Sequence, residues 1–223
     1  MMNATISADI VNSTSLETKD LIELRKRLQS LFERIETDLV PGFWGRIIRG
    51  DTIECFVPDC GKALRIAIII KLFVRLYVDN VESSFATRQN GIRFSIGLGH
   101  LKYVNKEDDI IDGPAIYISG RNLDAISSDR DVYSTIGIEC DYIGVRWLLE
   151  SYISLIDNLI GSYSIKQAQV VFYKLLGYKE RQISEILNVY QSAVNSRSSL
   201  AQWGLLNTAI TDFEHLNFEK ICG

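Results

Sequence analysis

The chain has 223 residues, 47% hydrophobic, 23% charged and 10% aromatic, enough apolar content for a buried core and unlike a disordered or low-complexity polypeptide. Twenty-four Lys plus Arg stand against 28 Asp plus Glu, a net charge of −4, so no global attraction to nucleic acid or to a membrane surface is expected. Cysteines 55, 60, 140 and 222 form no C-x-x-C pair and the only histidines are His100 and His215, which disfavours a structural zinc site, a disulfide framework and His-dependent nucleophilic catalysis.

In residues 4–11, Ile6, Ala8 and Ile10 alternate with Thr5, Ser7 and Asp9, which predicts a strand with Asp9 pointing away from the core. After Asn12-Ser13-Thr14, apolar residues at Leu21, Leu24, Leu28, Leu31 and Ile35, widened by Phe32 and Leu39, predict an amphipathic helix stopped by Pro41-Gly42. Two strand-like runs, 43–49 and 52–57, meet at the hairpin turn Arg49-Gly50-Asp51-Thr52. A second helix runs from about Asp59, a candidate N-cap, to Val78, and is apolar around most of its circumference. Residues 91–99 form the next strand, with Ile92, Phe94 and Ile96 on one face.

This order, β-α-β-β-α-β, is the split βαβ plan of an α+β, ferredoxin-like or palm domain. In that plan the third strand lies between the first and second, antiparallel to both, which makes Asp9 and Asp51 neighbours. Residues 113–126 predict a further helix and 131–136 a further strand. A long helix over 141–160 carries Val145, Leu148, Leu149, Tyr152, Leu155, Ile156 and Leu159 on one stripe, with Ile143, Trp147, Ile153 and Ile160 elsewhere. Such a helix is expected to be wedged between two bodies. Beyond it the strand pattern ceases, and helices are predicted at 165–176, 180–187, 191–200 and 203–216. The pair joined by Asn188-Val189-Tyr190 is a helix-turn-helix. The expected organisation is a palm domain over 1–140, a connecting helix over 141–161 and a small all-α helix-turn-helix domain over 162–223. The stretch 66–78 is broken by Lys71 and Arg75 and the amino terminus lacks a leader pattern, so a cytoplasmic protein with no membrane partner is expected.

Two carboxylates on adjacent strands repel one another and favour a divalent cation, and Mg²⁺ or Mn²⁺ accepts carboxylate, carbonyl and phosphate oxygens together. The series Ala8-Asp9-Ile10-Val11-Asn12-Ser13-Thr14, Arg49-Gly50-Asp51-Thr52, the 91–99 strand, and Asp112-Gly113-Pro114-Ala115 with Arg121 resembles a class III nucleotidyl cyclase homology domain. It is also similar to SatD-like bacterial proteins. The resemblance spans about residues 4–137. It implies that Asp9 and Asp51, with the Ile10 carbonyl, hold two metal ions. It also implies that Asn12, Ser13 and Thr14 offer backbone N–H groups to the phosphates of a nucleoside triphosphate, that Arg121 stabilises the transferring phosphate, and that the protein is a homodimer. The Leu21 to Ile35 stripe is one candidate contact. Tyr117 stands where the cyclases have a ribose-orienting asparagine, and Ile47 where purine-selective members have a base-reading lysine. These departures bear on cyclisation and purine choice.

Residues 164–206 resemble region 4 of bacterial sigma factors. That likeness implies DNA binding, with Ile183, Ile186, Leu187 and Val194 fastening the helices and Gln191, Ser192, Asn195, Ser196 and Ser199 on the outer side of the second. Phosphate contacts would come from Lys166, Lys174, Lys179, Arg181 and Arg197. Residues 162–223 carry six basic and five acidic side chains, net +1, against 18 and 23 in the remainder, so phosphate attraction is weak for one copy. The expected function is a bacterial transcription regulator coupling a nucleotide- and metal-binding cyclase-like domain to a DNA-binding head. One alternative is an active nucleotidyl cyclase or other metal-dependent nucleotide enzyme with an accessory tail. The other is a metal-free dimerisation scaffold with a DNA- or protein-binding head.

Overall fold

The computed structural model describes residues 2–11, 17–48, 51–81, 91–128, 135–140 and 143–222. Alternation sets the first strand, β1 (Asn3–Asp9): Ala4, Ile6 and Ala8 are fully buried on one face. On the other face Thr5 and Ser7 meet Ser119 at 3.0 and 2.8 Å. Helix α1 (Thr18–Asp38) buries Leu24, Leu28, Leu31, Phe32 and Ile35 inside its own chain, so this stripe is intramolecular core and not a contact between copies. The chain leaves it through Pro41 and Gly42, the latter at φ +83°, a left-handed conformation that glycine adopts without strain.

Strands β2 (Trp44–Ile47) and β3 (Thr52–Val57) form the expected hairpin. The Asp59 side chain then accepts from the Gly61 N–H at 3.0 Å, capping a short 3₁₀ turn that leads into α2 (Ala63–Val81). Next come β4 (Arg93–Gly99), a small hairpin of β5 (Tyr103–Asn105) and β6 (Ile110–Asp112), and α3 (Pro114–Ser128). The main sheet has the order β2-β3-β1-β4-β7, with β7 (Ile136–Glu139) parallel to β4 and the other pairs antiparallel. The third strand therefore does lie between the first and second. The edge strand begins at Ile136, later than the alternation suggests; residues 129–134 are outside the described set. The β5–β6 hairpin has no counterpart in the sequence reading, because three-residue strands are too short to display alternation.

Helix α3 covers the Thr5/Ser7 face of the sheet, and α1 and α2 cover the other. The remaining chain is helical: α4 (Ile143–Gly161), α5 (Ile165–Leu175), α6 (Glu180–Leu187), α7 (Gln191–Leu200), α8 (Trp203–Glu214) and α9 (Phe218–Cys222). Of these, α5 and α8 dock on the outer side of α2, α4 packs along β7, and α6 and α7 rest on α5, which explains why α2 is apolar nearly all round: Leu64, Ile66, Ile68, Ile69, Ile70, Leu72 and Val74 are all fully buried. One continuous core runs from Met2 to Phe218. Phe73 packs on Phe172 with ring centroids 6.0 Å apart. Arg75 donates to the Ile160 carbonyl at 3.0 Å and to that of Tyr163, placing a cation at the carboxyl end of α4 where the helix dipole favours it.

Polar contacts pin the docked helices further. The Tyr152 hydroxyl donates to the Ala209 carbonyl at 2.5 Å, and Glu214 accepts from Lys62 at 2.8 Å and Arg65 at 2.6 Å. Burial pushes the Glu214 carboxyl up, but hydrogen bonds and charge from Arg65 and Lys62 outweigh it and hold it below the usual carboxylate range. A lowered folded-state pKa contributes stability that is present above the unfolded value of about 4.3 and lost as pH falls through the folded value. Glu214→Gln is therefore expected to destabilise the fold at pH 7 by roughly 1–3 kcal/mol and to flatten the loss of stability below pH about 4.5. Urea titrations across pH check this; identical pH slopes for variant and parent count against it.

Candidate functional site

The backbones that carry the two acids the sequence singles out lie side by side at one end of the sheet. Asp9 is paired in register with Thr52 of β3, and the Ile10 N–H donates to the Asp51 carbonyl at 3.3 Å. That carbonyl contact sets the hairpin turn directly beside the end of β1. Asp9 stands on the α3 face with Thr5 and Ser7, while Ile10 is buried at 3% exposure.

Across β4, Arg93 is the register partner of Asp9. Its Nε and Nη2 donate to the two Asp9 carboxylate oxygens at 3.1 and 2.6 Å, and its Nη1 reaches the Ser127 carbonyl at 3.4 Å. Both side chains are about one-quarter exposed, so the bidentate fork is open to solvent. No role was assigned to Arg93 from the sequence, although a signal was present. If Ile92, Phe94 and Ile96 point inward, Arg93 must share the face of Asp9.

The other predicted residues fall elsewhere. Asn12, Ser13 and Thr14 lie outside the described residues, and α1 starts at Thr18 with Glu17 as its N-cap. Arg121 is exposed on α3, where its Nε donates to the Tyr117 carbonyl at 3.2 Å. It lines a crevice with Asn122, Glu139 and Arg146. Its neighbour Asn122 donates to the Ser95 hydroxyl at 3.1 Å, and Ser95 is the register partner of Ser7, two strand positions, about 7 Å, from Asp9. The structure thus brings the backbones of Asp9, Ile10 and Asp51 together, with Arg121 on the middle turns of α3. Tyr117 donates to the Asp112 carboxylate. Ile47 is paired with Ile53 in the hairpin.

Asp9, Asp51 and the Ile10 carbonyl suit one hard divalent ion that takes its remaining ligands from phosphate and water, and Arg93 would have to release Asp9 to admit it. Among the described residues no three His, Cys, Asp or Glu side chains gather to hold a metal ion by themselves. Thiolate chemistry is disfavoured at Cys55 and Cys60: burial pushes the Cys55 thiol far up and that of Cys60 up to about 11.

The carboxyl-terminal helices form their own small kernel, where Val170, Ile183 and Val194 are fully buried. Leu187 is half-buried against them, whereas Ile186, expected to help fasten the helices, is 45% exposed. That helix is eight residues long, so its buried stripe is narrow. Asn188 ends α6 in the left-handed conformation at φ 50°. Gln191, Ser192, Asn195, Ser196 and Ser199 are exposed along α7 and Arg197 is half-buried. Lys179 and Arg181 are exposed near the start of α6, Arg181 paired with Glu185 at 3.3 Å. Lys174 is committed to Glu180 at 2.8 Å, and Lys166 is exposed on α5.

Among the described residues, no helix is long and apolar enough to cross a membrane. No family model matches the chain, and no curated protein matches it. Two solved structures, both of bacterial light-regulated adenylyl cyclases, align with it. One is 19% identical over 66% of this chain and 78% of the other, with a TM-score of 0.42. The second is 17% identical over 62% of this chain and 42% of the other, with a TM-score of 0.44.

Proposed function

We propose that residues 1–140 bind a nucleoside triphosphate with Mg²⁺ or Mn²⁺ in the manner of a nucleotidyl cyclase domain. The supporting observation is the convergence of Asp9 and Asp51 at one sheet end through the β1–β3 register. Asp9, Asp51 and the Ile10 carbonyl would hold the cation. Bound there, the ion neutralises phosphate charge. Arg93 holds Asp9 oriented until the cation arrives, and its released guanidinium then lies within reach of a phosphate oxygen.

Thermal unfolding with each nucleoside triphosphate and either cation tests the reading. Saturation near 100 Kd is expected to stabilise the fold by about 2.7 kcal/mol and to raise the midpoint by about 5–10 °C. Asp51→Asn should abolish the rise while leaving the ligand-free midpoint within about 2 °C. No rise with any nucleotide and cation overturns the proposal, and release of pyrophosphate separates turnover from binding.

A second reading, DNA binding by residues 162–223 through α7, is favoured by one observation. The α7 face bearing Gln191, Ser192, Asn195 and Ser196 is exposed and uncharged although the tail is docked, and such side chains read base edges in the major groove. Weak retention on duplex DNA at low salt is expected, lost on combined Asn195→Ala and Arg197→Ala. Absence of retention by the parent protein counts against this reading.

A further inference from the structure

Helices α1 and α5 both pack on α2, and a cleft of about 560 Å³ opens between them, a size typical of small-molecule sites. Phe73 of α2 floors it, Phe172 and Tyr173 of α5 form one wall, and Lys26, Arg27 and Arg34 of α1 stand on the other. Lys26, Ser30 and Arg34 are spaced four apart and so share a face of the helix. Two of the three cations already have acids. Arg27 donates to Glu23 at 2.7 Å. Arg34 lies 3.4 Å from Asp38, donates to the Tyr178 hydroxyl and stacks 4.9 Å over that ring. Lys26 is exposed and makes no ion pair among the described residues. One positive charge therefore remains at the mouth of an apolar cleft, in a chain of net −4.

We infer that this cleft binds a small aromatic monocarboxylate, its ring against Phe73, Phe172 and Tyr173 and its carboxylate toward Lys26. Phe172 lies 6.0 Å from Phe73 at 39° and 5.3 Å from Tyr173 at 68°. These rings present both faces and edges, and Phe73 and Tyr173 are only half-buried, so a further flat ring can join them offset or edge-on. The single unpaired ammonium matches one negative charge. Among the lining residues there is no Asn, Gln or Asp side chain to read the edge of a nucleobase, which favours an apolar ring over a nucleotide. A guest seated there touches α1, α2 and α5 at once. Because α6 and α7 rest on α5, occupancy stiffens the base of the tail. This site is separate from the acidic sheet end and does not rest on nucleotide binding.

Calorimetric titration of the full chain with naphthoate should give a Kd of about 10–100 µM. The neutral naphthyl alcohol, which lacks the charge, and octanoate, which lacks the ring, should each bind at least about 10-fold more weakly. Lys26→Glu should weaken naphthoate by at least about 10-fold, and Ser30→Trp, which fills the cleft from the α1 wall, should abolish binding. Both positions are exposed, so the ligand-free thermal midpoint of either variant should stay within about 2 °C of the parent. Naphthoate should also slow amide hydrogen exchange across residues 170–178 of the parent protein. No binding up to about 5 mM overturns the inference. So does alcohol or octanoate binding as tightly as naphthoate, which would leave the cleft without the stated selectivity. Binding indifferent to both substitutions, or unchanged exchange in 170–178, would place the ligand elsewhere and overturns it equally.

Discussion

Lys71→Met is expected to cost about 3–5 kcal/mol of unfolding free energy, the range for removing one partner of a buried ion pair. The Lys71 ammonium lies 2.6 Å from the Asp157 carboxylate, and both residues are only 6% exposed. Burial pushes the lysine's pKa down, and Asp157 opposes that shift by charge and hydrogen bonding. Asp157 also accepts from the Thr135 N–H at 2.5 Å and from its hydroxyl at 2.9 Å. Methionine matches the length of lysine and fills its space, so the loss reports the stranded carboxylate and not a cavity. The double variant Lys71→Met with Asp157→Leu should recover most of that loss, because the uncompensated charge is then gone. Urea unfolding of the three variants measures the cycle; a single-variant loss below about 1 kcal/mol would show that the pair is not buried as described.

This pair has a position as well as an energy. Thr135, which Lys71 and Asp157 both contact, accepts from the Phe94 N–H at 2.8 Å, and Phe94 follows Arg93, the residue that clamps Asp9. The acidic end of the sheet is thus joined by consecutive contacts to α2 and α4, and the carboxyl-terminal kernel reaches α2 through α5.

Gly97→Val is expected to destabilise the fold by about 3–5 kcal/mol, combining overpacking with the loss of buried hydrogen bonds. A Cβ at Gly97 would lie 2.2 Å from the Ala115 carbonyl oxygen and 3.0 Å from the Ser119 backbone nitrogen. These are backbone atoms of α3, which cannot rotate aside, so the helix must lift from the sheet. Lifting separates the Ser119 hydroxyl from Thr5 and Ser7, leaving buried hydroxyls short of a partner. Chemical denaturation with limited proteolysis should show lower stability and new cleavage within 114–128. A variant within about 1 kcal/mol of the parent would mean that α3 does not approach the sheet this closely.

The two predictions bear on opposite limits of sequence reading. Periodicity is local, and it located the strands and helices well: the boundaries at 52–57, 180–187 and 191–200 coincide with β3, α6 and α7. It also marked Asp59 as a cap and, through the split βαβ plan, set Asp9 beside the Asp51 turn. The small residues at Gly97, Thr5, Ser7 and Ser119 were visible as letters, but no local pattern tells that they form one close contact.

Sequence by itself determined which residues can face one another along a strand or one side of a helix, and from that the place of β3 between β1 and β2 and the adjacency of the Asp9 strand end to the Asp51 turn. Only tertiary structure decided which faces are covered. It seated the tail on α2 through α5 and α8, closed Arg93 onto Asp9, drew Lys71 to Asp157 and left one side of α4 bare. The reason is geometric: alternation and the 3.6-residue repeat fix a side chain's direction relative to its own element. Its partner depends on how distant elements pack, which is settled by the whole core at once.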